Sequence, residues 1–199
     1  MISEEAGQAI LNIYQQKNIE VHTKNDHSPL TQADLASHNI IVKALKKLTP
    51  KIPLLSEEGE TLKADVHTFW CVDPLDGTKE FVKRNGEFTV NIALIEKHQP
   101  VLGVIHIPVT NETFLAMKGK GAKKIKDNKT YQLKKQNNET RQPSIFTVSR
   151  SHLNQATQDF IGLHQAEIVA AGSSVKLTML AEGLADAYPR FGPTSLWDM

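Results

Sequence analysis

The chain has 199 residues, 40% of them apolar and 23% charged, with 23 basic against 22 acidic side chains. That composition excludes a disordered chain, a collagen-like fibre and a disulfide-dense mini-protein. The even charge balance supplies no global field for polyanions, so a phosphate-bearing ligand must be drawn in by local charge or a bound cation. Cys71 is the only cysteine, so no intrachain disulfide can form and CxxC zinc or redox sites are excluded. The N-terminal twenty residues lack a basic start and a long apolar core, and no run approaches the ~18 apolar residues of a membrane span. A cytoplasmic location is the expectation.

Ser3-Glu4-Glu5 followed by Ala6, Ala9, Ile10, Ile13 and Tyr14 predicts an amphipathic helix capped by Ser3. After the polar loop KNDHSP, Thr31 opens a second helix, with Leu35, Ile41, Ala44, Leu45 and Leu48 at helical spacing and Pro50 as its stop. Residues 51–56 and 69–73 are short apolar runs of strand type. FTVNIALIE, a turn at 97–100 and VLGVIHI predict an antiparallel hairpin, and NETFLAMKG continues the meander. Residues 118–135 hold eight lysines and one aspartate with Tyr131 as the sole interleaved aromatic, which favours a solvated hairpin and linker over a nucleic-acid patch. After Pro143 the expected order is strand 145–149, helix 153–163, strand 167–171, helix 174–183 and strand 184–190, the alternation of an α/β layer. The predicted organisation is an α+β portion, residues 1–142, and an α/β portion, residues 143–199. The last residues, Leu196-Trp197-Asp198-Met199, read as an end inside an element.

The most informative segment runs from Trp70 to Thr78. An apolar strand leads into Asp73, Pro74 denies the ladder a donor and is expected to end it, and Gly77 allows a tight turn before Thr78. Asp73, Asp76 and the intervening Leu75 carbonyl are oxygen donors on a compact turn, which suits hard Mg²⁺ and leaves room for water and substrate phosphate. A helix starting near Thr78 would turn free amides toward that phosphate. The competing reading is an Asp-rich turn that merely caps the next helix. Ser56-Glu57-Glu58-Gly59-Glu60 again sets carboxylates at a strand end, and Asp198 follows Trp197 after a Gly/Pro turn. Each of these two alone reads equally as a solvated turn. Phe69, Trp70 and Cys71 are expected in the core. The eight histidines show no HExxH or HxH spacing, and no GxGxxG or P-loop is present, which argues against zinc, NAD and ATP.

SEE, WxVDPLDGTKEF, GEFTVNIAL, SRSH, GSSVK, YPRFGPT and a final WD, in this order over nearly the whole chain, resemble the inositol monophosphatase superfamily, and within it the CysQ-type 3'(2'),5'-bisphosphate nucleotidases. The resemblance implies an α+β fold, a layered αβαβα sandwich of the inositol monophosphatase and fructose bisphosphatase type. Family members continue past the WD aspartate, so the last helix and strands are expected to be missing here, leaving an apolar face exposed or covered by another subunit. It further implies that Glu57, Asp73, the Leu75 carbonyl, Asp76 and Asp198 bind about two or three Mg²⁺ ions, with lithium as an inhibitor. Asp34 would pair with Thr78 and, with Glu57, activate the attacking water, while Gly77 and Thr78 hold the phosphate. Ser149, His152, Gly172, Ser173, Lys176 and Arg190 would surround the nucleotide and its second phosphate. The resemblance thus makes residues 1–142 the metal-binding portion and residues 143–199 the nucleotide-binding portion. Local readings compete at three of these positions: Thr31-x-x-Asp34 is capping-box-like, Lys176 could be a solvated helix residue, and Arg190 a strand-end ion pair.

The implied reaction is Mg²⁺-dependent hydrolysis of adenosine 3',5'-bisphosphate to AMP and phosphate, with PAPS as a second substrate, in sulfate assimilation and nucleotide recycling. The rivals are an inositol- or sugar-phosphate phosphatase on the same scaffold, and a truncated, catalytically impaired nucleotide- or metal-binding protein. The expected partner is the small-molecule nucleotide, with no nucleic acid and no integral membrane segment; the cytoplasmic location extends to peripheral contact at the membrane's cytoplasmic face.

Overall fold

Helices α1 (Ile2–Tyr14) and α2 (Gln32–Leu48) pack on each other, α1 against β5 (Thr89–Glu96) and β6 (Gln99–Ile107) and α2 against β4 (Thr68–Asp76). The computed structural model describes residues 1–24, 29–59, 62, 66–134 and 142–198. Residues 25–28 of the KNDHSP loop, Glu60 of the acidic cluster, residues 135–141 of the linker and Met199 lie outside them. The second helix begins where expected, with Thr31 accepting from the Ala33 amide at 3.1 Å. The first begins ahead of its predicted cap: Ser3 is buried inside α1, so packing of a small side chain has won over capping.

Strands β3 (Leu54–Ser56), β4, β5, β6, β7 (Glu112–Met117), β8 (Gly121–Lys126) and β9 (Lys129–Leu133) form a seven-stranded sheet in chain order. β3 runs parallel to β4, and every later pair is antiparallel. The expected hairpin and meander are therefore present, and the lysine-rich segment contributes two further strands. Alternation along β4 sorts its side chains. Trp70 and Val72 join Ala6, Ile10, Ile41, Leu45, Val90 and Ile92 in the helix-side core, while Phe69, Cys71 and Asp73 point to the opposite face and are also buried. Tyr14, Phe81 and Phe88 meet with ring centroids 4.9 to 5.3 Å apart, fixing the short helix α3 (Thr78–Val82) against α1.

A two-stranded antiparallel ribbon, β1 (Val21–Thr23) with β2 (Pro29–Thr31), precedes α2. Later in the chain β10 (Ile145–Ser149) pairs in parallel with β11 (Glu167–Ala171), joined by α4 (Gln155–His164) and followed by α5 (Val175–Glu182). The α4 start falls two residues after the expected Leu153, because Asn154 caps it by accepting from the Thr157 amide at 3.0 Å. The strand predicted at 184–190 is reduced to a single bridge, Phe146 with Ala187. The Asp186 carboxylate takes the Ile145 amide at 2.7 Å, and Pro189 has no amide to give. Ile168 on β11, with Leu163, Leu184 and Phe191, is more than half exposed. No helix among the described residues is long and apolar enough to cross a membrane.

Candidate active site

Pro74 does not end β4. The strand's register opposite β5 breaks between Asp73, which faces Asn91, and Asp76, which faces Thr89, and Pro74 sits in this bulge, where no ladder donor is required. The Ser37 hydroxyl on α2 donates to the Pro74 carbonyl at 2.7 Å, and the Leu75 amide donates to Asp73 Oδ1 at 3.1 Å, so the turn is held from both sides. Gly77 then takes φ +89°, and a Cβ there would stand 2.9 Å from the Glu87 carbonyl and from Ser173 Cβ. With Asp198 on a one-turn 3-10 helix (Leu196–Asp198), Asp73 and Asp76 bring carboxylate oxygens within 4.8 Å of one another.

These charges oppose each other. Burial first, then the charges of Asp76, Glu57 and Asp198, push the Asp73 carboxyl well above the usual carboxylate range. Burial and then Asp76 push Asp198 up to about 6. Glu57, whose amide donates to the Val72 carbonyl at 3.1 Å, reaches Asp73 from β3. Lys24 donates to Glu57 Oε1 at 2.8 Å and also pairs with Glu58. Burial works against that ammonium, but the two glutamates outweigh it and raise its pKa. Clustered anionic oxygens in a half-enclosed turn require protons or cations, and an all-oxygen donor set fits a hard divalent ion.

Asp34 makes both of the contacts that its two readings require. Its Oδ2 accepts from the Thr31 amide at 2.8 Å and the Thr31 hydroxyl at 2.6 Å, closing the capping box of α2. Its Oδ1 accepts from Thr78 Oγ1 at 3.1 Å. A carboxylate has two oxygens, so capping and pairing do not compete. Burial raises its pKa, with the Thr31 and Thr78 hydrogen bonds and Lys24 opposing. Thr78 Oγ1 also approaches the Leu75 carbonyl at 3.2 Å.

The residues expected around the nucleotide divide into three groups. Ser173 meets the carboxylate turn directly, its Oγ donating to Asp76 at 2.8 Å, and the neighbouring Gly172 amide donates to Glu87 at 2.7 Å. Ser149 accepts from the His152 amide at 3.2 Å, and His152 Nε2 lies 3.2 Å from Lys79 Nζ, its pKa lowered by burial and then by Lys79 and Arg190. Lys176 overturns the solvated alternative: it is 5% exposed, donates to the Ala171 carbonyl at 3.4 Å and to that of Ser173, and lies 5.3 Å above the Tyr188 ring. Burial lowers its pKa. Arg190 forms no strand-end ion pair among the described residues; it folds onto its own turn, donating to Thr194 Oγ1 and the Pro193 carbonyl at 2.7 Å and to the Tyr188 hydroxyl at 3.2 Å.

Sequence reasoning missed the residues that join the two halves of the chain. Glu87 accepts two hydrogen bonds of 2.7 Å from Arg150 as well as the Gly172 amide, and buried Glu80 accepts from Ser151 Oγ at 2.5 Å. All four side chains lie inside the quoted strings TKEF, GEF and SRSH, which is the signal that could have found them. A Cβ on Gly172 would stand 2.5 Å from Glu80 Cγ and 3.1 Å from the Glu87 carbonyl. Gly172→Ala is therefore expected to cost about 1–3 kcal/mol through overpacking, seen as a lower thermal midpoint; an unchanged midpoint would show that the loop yields freely.

Sheet, helices and strand-end donors together define a layered α+β protein with a cluster of carboxylate oxygens at one strand end. The chain belongs to the inositol monophosphatase family, whose sequence model matches residues 2–199. It is 44% identical over 205 aligned residues to the 3'(2'),5'-bisphosphate nucleotidase CysQ of Escherichia coli O6:H1, covering 99% of this chain and 80% of that protein. The crystal structure of CysQ from Bacteroides thetaiotaomicron, described as a bacterial member of the same family, superposes with a TM-score of 0.82 at 40% identity, over 99% of this chain and 79% of that one. An IMPase of Thermotoga maritima shares the fold at 24% identity with a TM-score of 0.82, over 100% of this chain and 76% of that one. The α+β layered fold expected from the motifs is the one observed.

Proposed function

We propose that this chain is a Mg²⁺-dependent phosphatase that hydrolyses adenosine 3',5'-bisphosphate to AMP and phosphate, accepts PAPS as well, and thereby recycles nucleotide beside sulfate assimilation. The observation that carries the reading is the convergence of Asp73, Asp76 and Asp198 within 4.8 Å, next to the Asp34–Thr78 pair, in a chain 44% identical to a nucleotidase named for bisphosphate nucleotides. Glu57, Asp73, the Leu75 carbonyl, Asp76 and Asp198 hold the cation or cations. When bound, a divalent ion offsets the charge of the phosphate dianion and of the leaving oxygen.

The chain's own groups do the rest. Thr78 Oγ1 gives its proton to Asp34 Oδ1, which leaves the hydroxyl oxygen's lone pairs to accept a hydrogen bond from the attacking water. Gly77 and Thr78 present their amides to the phosphate oxygens. Lys79, Lys176 and Arg190 all act electrostatically on His152, and this cationic cluster from both portions takes the second phosphate. In this reading residues 1–142 supply the chemistry and residues 143–199 the nucleotide contacts, apart from Asp198.

Phosphate release measured side by side should favour the bisphosphate nucleotide over inositol monophosphate. Arg190→Ala should raise KM about tenfold for the bisphosphate and much less for the monophosphate. Preference for the inositol ester would assign the chain to that chemistry instead, and equal KM changes would remove Arg190 from the second-phosphate site.

A further inference from the structure

Three donors from distant parts of the chain converge on one oxygen of Asp76. Its Oδ2 accepts from Ser174 Oγ at 2.7 Å, Ser173 Oγ at 2.8 Å and Asn91 Nδ2 at 3.3 Å, while Oδ1 takes no hydrogen bond from the described residues. The donors are themselves tied together. Asn91 Nδ2 donates to Ser174 Oγ at 2.8 Å, and Thr89 Oγ1 donates to Asn91 Oδ1 at 2.9 Å and lies within hydrogen-bond distance, 2.8 Å, of Ser173 Oγ. Thr89, Ser174 and Asn91 are buried.

The serine loop departs from its local preferences to make these bonds. Ser173 holds φ +51°, in the left-handed region that non-glycine residues rarely adopt. Ser174 stands at the N-cap of α5, where a serine hydroxyl ordinarily accepts from the first turn's amides, yet it makes no capping bond. Both departures are accounted for by the carboxylate that the hydroxyls serve.

Resting on the metal reading above, we infer that Ser174, with Asn91 and Ser173, is a positioning residue for the cation. The three donors occupy Oδ2 and fix the rotation of the carboxylate, so that Oδ1 is left to face the group made with Asp73 and Asp198. Cation affinity at a turn in the first half of the chain is thus set by a serine loop in the second. The role of Ser173 shifts accordingly: its hydroxyl proton is committed to Asp76, so its side chain acts on the metal carboxylate and not on the nucleotide.

The test is a calorimetric titration of the 199-residue chain with Mg²⁺, without substrate, for the parent, Ser174→Ala and Ser174→Thr. Ser174→Ala should bind Mg²⁺ about ten- to a hundredfold more weakly, with KM for adenosine 3',5'-bisphosphate at saturating Mg²⁺ within about twofold of the parent, and Ser174→Thr should recover most of the affinity. Should Ser174→Ala not fold, Ser173→Ala, at a half-buried position, is read by its Mg²⁺ affinity alone, which should fall in the same direction. Parental Mg²⁺ affinity in a folded Ser174→Ala, or a raised KM at unchanged affinity, overturns the inference. A parent that takes up no Mg²⁺ overturns the metal reading itself, so the two failures are told apart.

Discussion

Asp73→Asn should lower kcat/KM by roughly a thousandfold, about 4 kcal/mol of transition-state stabilisation, while raising the thermal midpoint of the metal-free protein. The opposite signs follow from the surroundings of the residue. Asp73 is 2% exposed, and burial followed by the charges of Asp76, Glu57 and Asp198 disfavours its ionised form. An asparagine keeps the oxygen that accepts from the Leu75 amide at 3.1 Å and presents an NH₂ group, in place of a fourth anion, to the remaining carboxylates. Each kcal/mol of relieved repulsion is worth roughly 2–4 °C in a chain of this size. An aspartate held only to shape the turn would behave otherwise, losing stability on substitution and leaving turnover near the parent. Phosphate release in excess Mg²⁺ and a melt in chelator separate the cases. Turnover within tenfold of the parent, or a lower metal-free midpoint, would remove Asp73 from the cation site.

The residues that meet at this turn were legible because their spacing is local. Asp73, Asp76, Gly77 and Thr78 lie on one bulge and one helix start, and Thr31 caps α2 through an amide two residues on. Longer-range facts left no such trace. Proline locally predicts a strand end, but β5 continues opposite and Thr89 pairs with Asp76, so the partner strand carries β4 past Pro74. Apolar spacing at 184–190 predicts a strand, but the Asp186 side chain takes the Ile145 amide that a ladder would have used. Helical spacing placed Lys176 on α5 and said nothing of Tyr188 or of the carbonyls of Ala171 and Ser173 that enclose it. Glu87 and Arg150 are 63 positions apart, and Glu80 and Ser151 are 71 apart. Periodicity reports which face a residue occupies, not which distant face it meets. The motif strings contained these residues, yet nothing in a string says which other side chain a residue meets, as the 2.8 Å hydrogen bond from Ser173 to Asp76 illustrates.

Chelation of divalent cations should lower the thermal midpoint more at about pH 8 than at about pH 5. The folded pKa of Asp198 is raised from 3.8 to about 6, by burial and then by Asp76, and that of Asp73 is raised well above the ordinary carboxylate value by burial and then by Asp76. A carboxylate whose folded pKa exceeds its unfolded value holds a proton in the native state that the unfolded chain has already released. Stability of the metal-free protein therefore falls as pH rises from 3.8 through 6 and beyond. Near pH 5 the cation competes with those protons; near pH 8 it neutralises charges that Lys24 on Glu57 and Glu58, and Arg190 and the Ser195 amide acting on Asp198, offset only in part. The Lys24 ammonium does not titrate in this window, because its pair raises its pKa against burial. His38, His106 and His152, whose pKa values burial lowers, weaken the fold as pH falls. They do so with and without metal, so the difference between loaded and chelated midpoints cancels them. With Mg²⁺ a thousandfold above its Kd, the difference near pH 8 should be about 4 kcal/mol, or roughly 8–16 °C. A difference equal at the two pH values, or larger near pH 5, would show that Asp73 and Asp198 are not the groups that a cation neutralises.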